Sequence, residues 1–265
     1  MNHLEELKKT GYTKIEQAFG DSTIAQLLDR VRGLAANNHD VKGLPFLDRG
    51  GNVVYNLCLK DSIFLREILN QSEVCGILMA MLNDQWFRPI PADKPNFILK
   101  SLNARAGGKD PMPVHIDSLI PSSGQFTWSM QISIILEEHT VDNGTTLIVP
   151  GSHLYDRYAT QEDRANAIPS LAKPGDVVFW DSRLWHATLP NKTTDTRWAI
   201  IATFVRWWVK QAFDFTGSLS KELLDQYTDA ELAVLGYCSM PPEDETHRVD
   251  MKVGYEALRE RRASK

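Results

Sequence analysis

The 265 residues carry 29 Lys and Arg against 34 Asp and Glu, a net charge of −5 with His neutral, and an apolar fraction of 43%. That length supports a substantial core, and the dispersed negative charge disfavours a nucleic-acid footprint, since no basic block exceeds the tail of Arg259, Arg261 and Arg262. Three cysteines without CxxC spacing exclude a disulfide framework, no apolar run reaches the roughly 18 to 20 residues that cross a bilayer, and the leucines near the start are mixed with Glu and Lys, so a cytoplasmic protein without membrane or nucleic-acid partners is expected.

In chain order, Leu4, Leu7 and Lys8 predict a helix that ends at Gly11. Ile24, Leu27, Leu28, Val31 and Leu34 then recur at helical spacing, with Asp21 or Ser22 as N-cap. Residues 37–56 lose the pattern to Asn, Gly, Pro and Asp and read as a loop carrying apolar Leu44, Phe46 and Leu47. Helical spacing resumes over 61–86, as two helices split near Asn70. From Phe97 the period becomes two: 97–103, 127–136, 146–149, 176–180 and 197–205 are short β-rich runs bounded by Gly, Pro, Asn or Asp. Helix signals return at 218–226 and 229–235. Helices followed by many short strands predict a mainly β architecture, an antiparallel sandwich or barrel with helices on one outer face. With no repeat visible the chain reads as one domain over 1–265: helical to about 90, a β core over about 97–209 and a helical tail from about 215.

The chemistry concentrates in Met112-Pro113-Val114-His115-Ile116-Asp117. Strand alternation places His115 and Asp117 on one face with Ile116 opposite, so they can take adjacent positions on one metal ion. His186, after the apolar run 177–180 and a turn, supplies a third ligand from a neighbouring strand. Two imidazoles and a carboxylate on one face leave about three positions of an octahedral metal open, the arrangement of non-haem Fe(II) oxygenases. Arg197 opens the run 197–205, where a fixed guanidinium suits a bidentate hold on the far end of a dicarboxylate. Thr188 returns to the side of His186 and can donate its hydroxyl to the same group. Taken singly, His115 also reads as a satisfied core histidine and Arg197 as a surface charge. His3, His39, His139 and His247 have no ligand-spaced partner and read as solvated or locally bonded, and the crowded Trp180, Trp185, Trp198, Trp207 and Trp208 read first as core.

These pieces stand in one order: HxD as His115-Ile116-Asp117, the turn DNGTTLIVPGSH over 142–153, KPGDVVFW over 173–180, then His186 and Arg197. In that combination, over about residues 10–205, the chain resembles the phytanoyl-CoA dioxygenase family of Fe(II)- and 2-oxoglutarate-dependent oxygenases. The resemblance implies a double-stranded β-helix, or jelly roll, with N-terminal helices. It implies His115, Asp117 and His186 as iron ligands and Arg197, assisted by Thr188, as the partner of the distal 2-oxoglutarate carboxylate. It also implies Asn103, ahead of Lys100 and Arg105, at the chelating end of the co-substrate. Gln131 and Ser133 share a strand face where family members place pocket residues, Ser133 standing where the family often has an aromatic. His153 is expected to support its loop rather than to touch iron.

The implied reaction is hydroxylation of an unactivated C–H bond in a small organic, natural-product substrate, consuming dioxygen and releasing succinate and CO2. Asp117 argues against a halogenase, in which the acidic ligand is replaced. Desaturation, epimerisation and ring rearrangement begin alike and stay as alternatives, as do a non-catalytic jelly-roll binding protein and a cupin-like isomerase independent of 2-oxoglutarate. No basic cluster offers coenzyme A phosphates a seat. The stretches 37–56, 109–112 and 155–168 are expected to cap the pocket, and a homodimer stays open.

Overall fold

Asn2 and Glu5 close a reciprocal capping box at the start of α1 (His3–Thr10), and Gly11 ends that helix in the left-handed region at φ +83°. The chain goes on through β1 (Tyr12–Ile15), α2 (Asp21–Ala36), β2 (Val53–Val54), α3 (Ile63–Asn70) and α4 (Ser72–Leu82). The strands β3 (Ile98–Arg105), β4 (Met112–His115), β5 (Ser129–Ile135), β6 (Thr146–Ile148), β7 (Ile168–Pro169), β8 (Val177–Asp181), β9 (His186–Thr188) and β10 (Ala199–Val205) follow. Three short helices, α5 (Phe215–Ser218), α6 (Lys221–Leu224) and α7 (Asp229–Val234), complete the order. The structure is a computed structural model and describes residues 2–37, 53–241 and 244–247, with Tyr255, Leu258 and Ala263 beyond them.

The strands form two antiparallel sheets, one of six in the order β1-β8-β5-β10-β3-β2 and one of four in the order β4-β9-β6-β7. This is the expected mainly β, jelly-roll class of fold with N-terminal helices. Contacts gather in two compact units, Met1–Tyr55 with Asn103–Ala202 and Asn56–Leu102 with Thr203–Lys265. In the first, Trp180, Val178, Ile135, Ile148 and Leu184 bury one apolar cluster, and Val114, Ile116, Leu147, Val149 and Trp185 bury another. In the second, Arg66 pairs with Glu231 at 3.0 Å, the Tyr227 hydroxyl donates to the Cys58 carbonyl at 2.8 Å, and Phe87 stacks on Trp207. Among the described residues no helix is long and apolar enough to cross a membrane.

Four local expectations need correction. The first third is not wholly helical: Tyr12, Thr13, Lys14 and Ile15 pair with Trp180, Phe179, Val178 and Val177 at the sheet edge. Four residues between two strong helices are too few for a period of two to stand out. The N-cap of α2 is Gly20, and Asp21 is already helical, its carboxylate in the first turn where the helix dipole favours it. The strand carrying the HxD motif ends at His115, so Asp117 lies beyond it. Residues 218–226 do not make one helix, because α5 ends at Ser218 and the Ser220 side chain caps the new helix α6. Most of the loop expected at 37–56 lies outside the described residues, and its end forms β2 against Arg105 and Ala104.

A buried fork fixes the segment that follows Asp117. Arg183 donates through Nε and Nη2 to both oxygens of Asp181 at 2.9 and 2.8 Å, and through Nη1 to the carbonyls of Ser122 and Gly124. Asp181 also accepts from Thr127 at 2.8 Å. Truncating one partner of such a pair leaves a buried charge uncompensated, which costs about 3–5 kcal/mol. Arg183→Met is therefore expected to lower the denaturant midpoint by that equivalent. An unchanged midpoint would show that the fork carries no stability.

Candidate metal centre

His115 and His186 face each other across the β4–β9 pair, in register at Cα, with ring centroids 4.2 Å apart. Their placement starts from the backbone. The Nδ1 of His115 bonds the carbonyl of Pro113 at 2.9 Å, and the Nδ1 of His186 bonds that of Leu184 at 2.9 Å. A carbonyl can only accept, so each Nδ1 carries the proton and each Nε2 keeps its lone pair for a metal. Asp117 is delivered by its main chain, since its N–H and that of Ser118 both donate to the Ser182 carbonyl, at 2.8 and 2.9 Å. Its oxygens stand 3.0 Å from Nε2 of His186 and 3.7 Å from Nε2 of His115. One ligand atom from each of the three residues lies within 4.8 Å of the others.

The neighbours tune this cluster. Burial alone would push the Asp117 carboxyl up, but His186, His115 and the hydrogen bond from the Gln131 amide hold it below the usual carboxylate range. Burial and the adjacent His186 depress His115. For His186 burial works against the charge, and the Asp117 carboxylate outweighs it, leaving the imidazole raised. Gln131 is thus placed on the metal carboxylate itself, through its Nε2 to Oδ2. The 142–153 motif supports the same strand: Gly144 turns at φ +89° against the backbone of 189–191, and Ser152 Oγ accepts from Trp185 N at 2.8 Å, next to His186. His153 stays outside the cluster, its Nε2 3.3 Å from the Lys8 carbonyl.

Arg197 is half-buried, and the desolvation lowers its guanidinium to about 10. Among the described residues its buried Nε has no hydrogen-bond partner and its guanidinium pairs with no carboxylate. A guanidinium with a desolvated, unsatisfied donor fits the anionic end of a dicarboxylate. Thr188 accepts from Met112 N at 3.0 Å and keeps its own O–H as a donor. Asn103 is buried on β3, and Ser133 shares the buried face of Gln131 on β5. One group escaped the sequence reading: His139 is buried against Arg197, 58 residues away, rather than solvated or locally bonded, and no motif marks it. Trp180, at the end of the KPGDVVFW run, lies in the core as expected, and among the described residues its buried Nε1 has no acceptor beside His186. In the stretch 155–168, Ala159 and Ala167 pack on the cluster of Val114 and Ile116, and the Tyr158 hydroxyl donates to the Leu119 carbonyl at 3.0 Å, two residues beyond Asp117.

The sequence matches the family described as phytanoyl-CoA dioxygenase over residues 7–199. It is 24% identical over 217 residues to Dioxygenase andF of Emericella variicolor, covering 75% of this chain and 71% of that protein. It is 28% identical over 210 residues to Dioxygenase af480 of Aspergillus fumigatus, covering 75% of this chain and 64% of that one. Its fold resembles the crystal structure of the epimerase SnoN in complex with Fe3+, alpha ketoglutarate and nogalamycin RO, with a TM-score of 0.59 and 17% identity over 77% of this chain and 82% of that one.

The bond from Gln131 to Asp117 makes a prediction. Losing a partner that orients a metal ligand typically lowers metal affinity about 10- to 100-fold. Gln131→Leu is expected to fall in that range in an anaerobic Fe(II) titration while its thermal unfolding stays close to wild type. Unaltered affinity would mean that the amide does not orient the carboxylate.

Proposed function

The chain belongs to the phytanoyl-CoA dioxygenase family, and from that membership and the converging triad we propose that it uses Fe(II) and 2-oxoglutarate to break a C–H bond of a ring-bearing natural product. The chemistry is Fe(II)- and 2-oxoglutarate-dependent oxidation of a small organic substrate. When bound, iron and co-substrate supply the oxidising power from dioxygen, with succinate and CO2 leaving. The chain's own residues do the rest. His115, Asp117 and His186 hold the metal through two Nε2 atoms and one carboxylate oxygen. Arg197 takes the distal carboxylate with Thr188 beside it, and Asn103 serves the chelating end. Gln131 keeps Asp117 turned to the metal.

The observation that carries this reading is the pair of Nδ1–carbonyl bonds, which leaves both Nε2 atoms to converge with one carboxylate oxygen as metal ligands. For the outcome at carbon we favour epimerisation or desaturation, changes without net gain of oxygen, over hydroxylation. Desaturation spends the two oxidising equivalents on the substrate, whereas epimerisation is redox-neutral and takes two electrons from an external reductant such as ascorbate, the remaining oxygen leaving as water. Its support is the likeness to SnoN, an epimerase crystallised with Fe3+ and alpha ketoglutarate. Mass spectrometry of cyclic natural products, incubated with Fe(II), 2-oxoglutarate, ascorbate as reductant and labelled dioxygen in deuterated water, separates the outcomes. Succinate with a product of unchanged oxygen content supports the favoured reading; labelled oxygen in the product supports hydroxylation instead. Turnover that persists without 2-oxoglutarate would contradict both.

Removing one partner of a hydrogen-bonded charge pair costs about 2–5 kcal/mol, or about 30-fold to several thousandfold in affinity. Arg197→Ala is expected to weaken 2-oxoglutarate binding by that factor in anaerobic calorimetry. An unchanged dissociation constant would place the clamp elsewhere.

A further inference from the structure

Arg197 presents its donors unequally. Nη1 stands 3.2 Å from Nε2 and 3.5 Å from Nδ1 of His139, so either tautomer of that ring offers it a lone pair. Nε has no partner, and Nη2 lies on the same edge of the planar guanidinium as Nε. The side-on fork of Nε–H and Nη2–H, whose spacing matches a carboxylate, is therefore the edge left for a ligand.

His139 is built to stay where it is. It is 4% exposed, and its main chain exchanges hydrogen bonds with Ala172 at 2.8 and 3.3 Å. Burial and the charge of Arg197 hold its imidazole well below the ordinary histidine range, so the ring remains an acceptor. Gly107 lies directly beside Nε, where an added Cβ would stand 3.0 Å from that nitrogen and 2.9 Å from the Asn143 carbonyl, so a side chain there would crowd the unpartnered donor.

We propose that His139 is a positioning residue for the co-substrate: by engaging Nη1 it fixes the rotation of the Arg197 guanidinium and directs the Nε/Nη2 fork at the distal carboxylate of 2-oxoglutarate. The proposal rests on the assignment of Arg197 as the carboxylate clamp. Without the imidazole, the guanidinium carries a second unsatisfied buried donor and is free to turn its Nη1/Nη2 end to the ligand.

The test is equilibrium binding rather than turnover. Anaerobic calorimetry on the Fe(II)-loaded protein compares 2-oxoglutarate with 2-oxobutyrate, a 2-oxo acid that chelates metal but lacks the distal carboxylate. His139→Phe, which keeps a ring and removes the acceptor, is expected to weaken 2-oxoglutarate about tenfold or more and leave 2-oxobutyrate within about twofold. His139→Gln, which restores an acceptor, is expected to bind 2-oxoglutarate within about threefold of wild type. Should the Phe variant not fold, His139→Met removes the acceptor at similar volume and carries the same expectation. Unchanged 2-oxoglutarate affinity, or equal weakening of both ligands, overturns the proposal. Failure of the wild-type protein to bind 2-oxoglutarate would instead overturn the clamp assignment itself.

Discussion

The site depends on where two protons sit. Each metal-facing histidine gives its Nδ1–H to the carbonyl two residues before it, Pro113 for His115 and Leu184 for His186, so tautomer and ring plane are set by the backbone that carries the ring. What remains is to bring the two backbones together, which the β4–β9 register does, and to keep them there. Ser152 ties down Trp185, the Ser182 carbonyl collects the N–H groups of Asp117 and Ser118, and the Arg183–Asp181 fork holds the segment behind them. The metal centre is in this sense a property of three loops, after β4, after β6 and between β8 and β9, rather than of three side chains.

Two arginines in the same unit, Arg183 buried and Arg197 half-buried, show how hydrogen-bond accounting separates structure from function. Arg183 uses Nε, Nη1 and Nη2 on Asp181 and two loop carbonyls, and its charge is matched within the fold. Among the described residues Arg197 hydrogen-bonds only to an imidazole, and its Nε is buried without a partner. Desolvated donors without acceptors are unfavourable in a folded chain and persist where a ligand completes them. Asp117 differs from both: its carboxylate accepts from the Gln131 amide and stands 3.0 and 3.7 Å from the Nε2 atoms of His186 and His115, a donor set that a metal cation can share.

Much of this was legible in the sequence, for physical reasons that can be named. The helical spacing of Ile63 to Leu82 and its break, the β runs after Phe97 and the NG turn at Asn143-Gly144 all follow from local sterics and periodicity, and local rules identify them. His115, Asp117 and His186 were found by ligand type and spacing, although the alternation argument was only half right, because Asp117 is oriented by Ser182 and not by the strand. The edge strand at Tyr12 and the role of Ser182 arise from partners more than fifty residues away, and nothing local encodes them. His139 is the sharpest case: an isolated histidine before a turn has no pattern to read, and its meaning lies in a guanidinium 58 residues on.

An anaerobic crystal structure with Fe(II) and 2-oxoglutarate bound tests the account most directly. It should show iron on Nε2 of His115, Nε2 of His186 and one oxygen of Asp117, with the distal carboxylate of the co-substrate on the Nε and Nη2 edge of Arg197. Iron held through an Nδ1 atom, or a co-substrate whose far end lies away from Arg197, would contradict it.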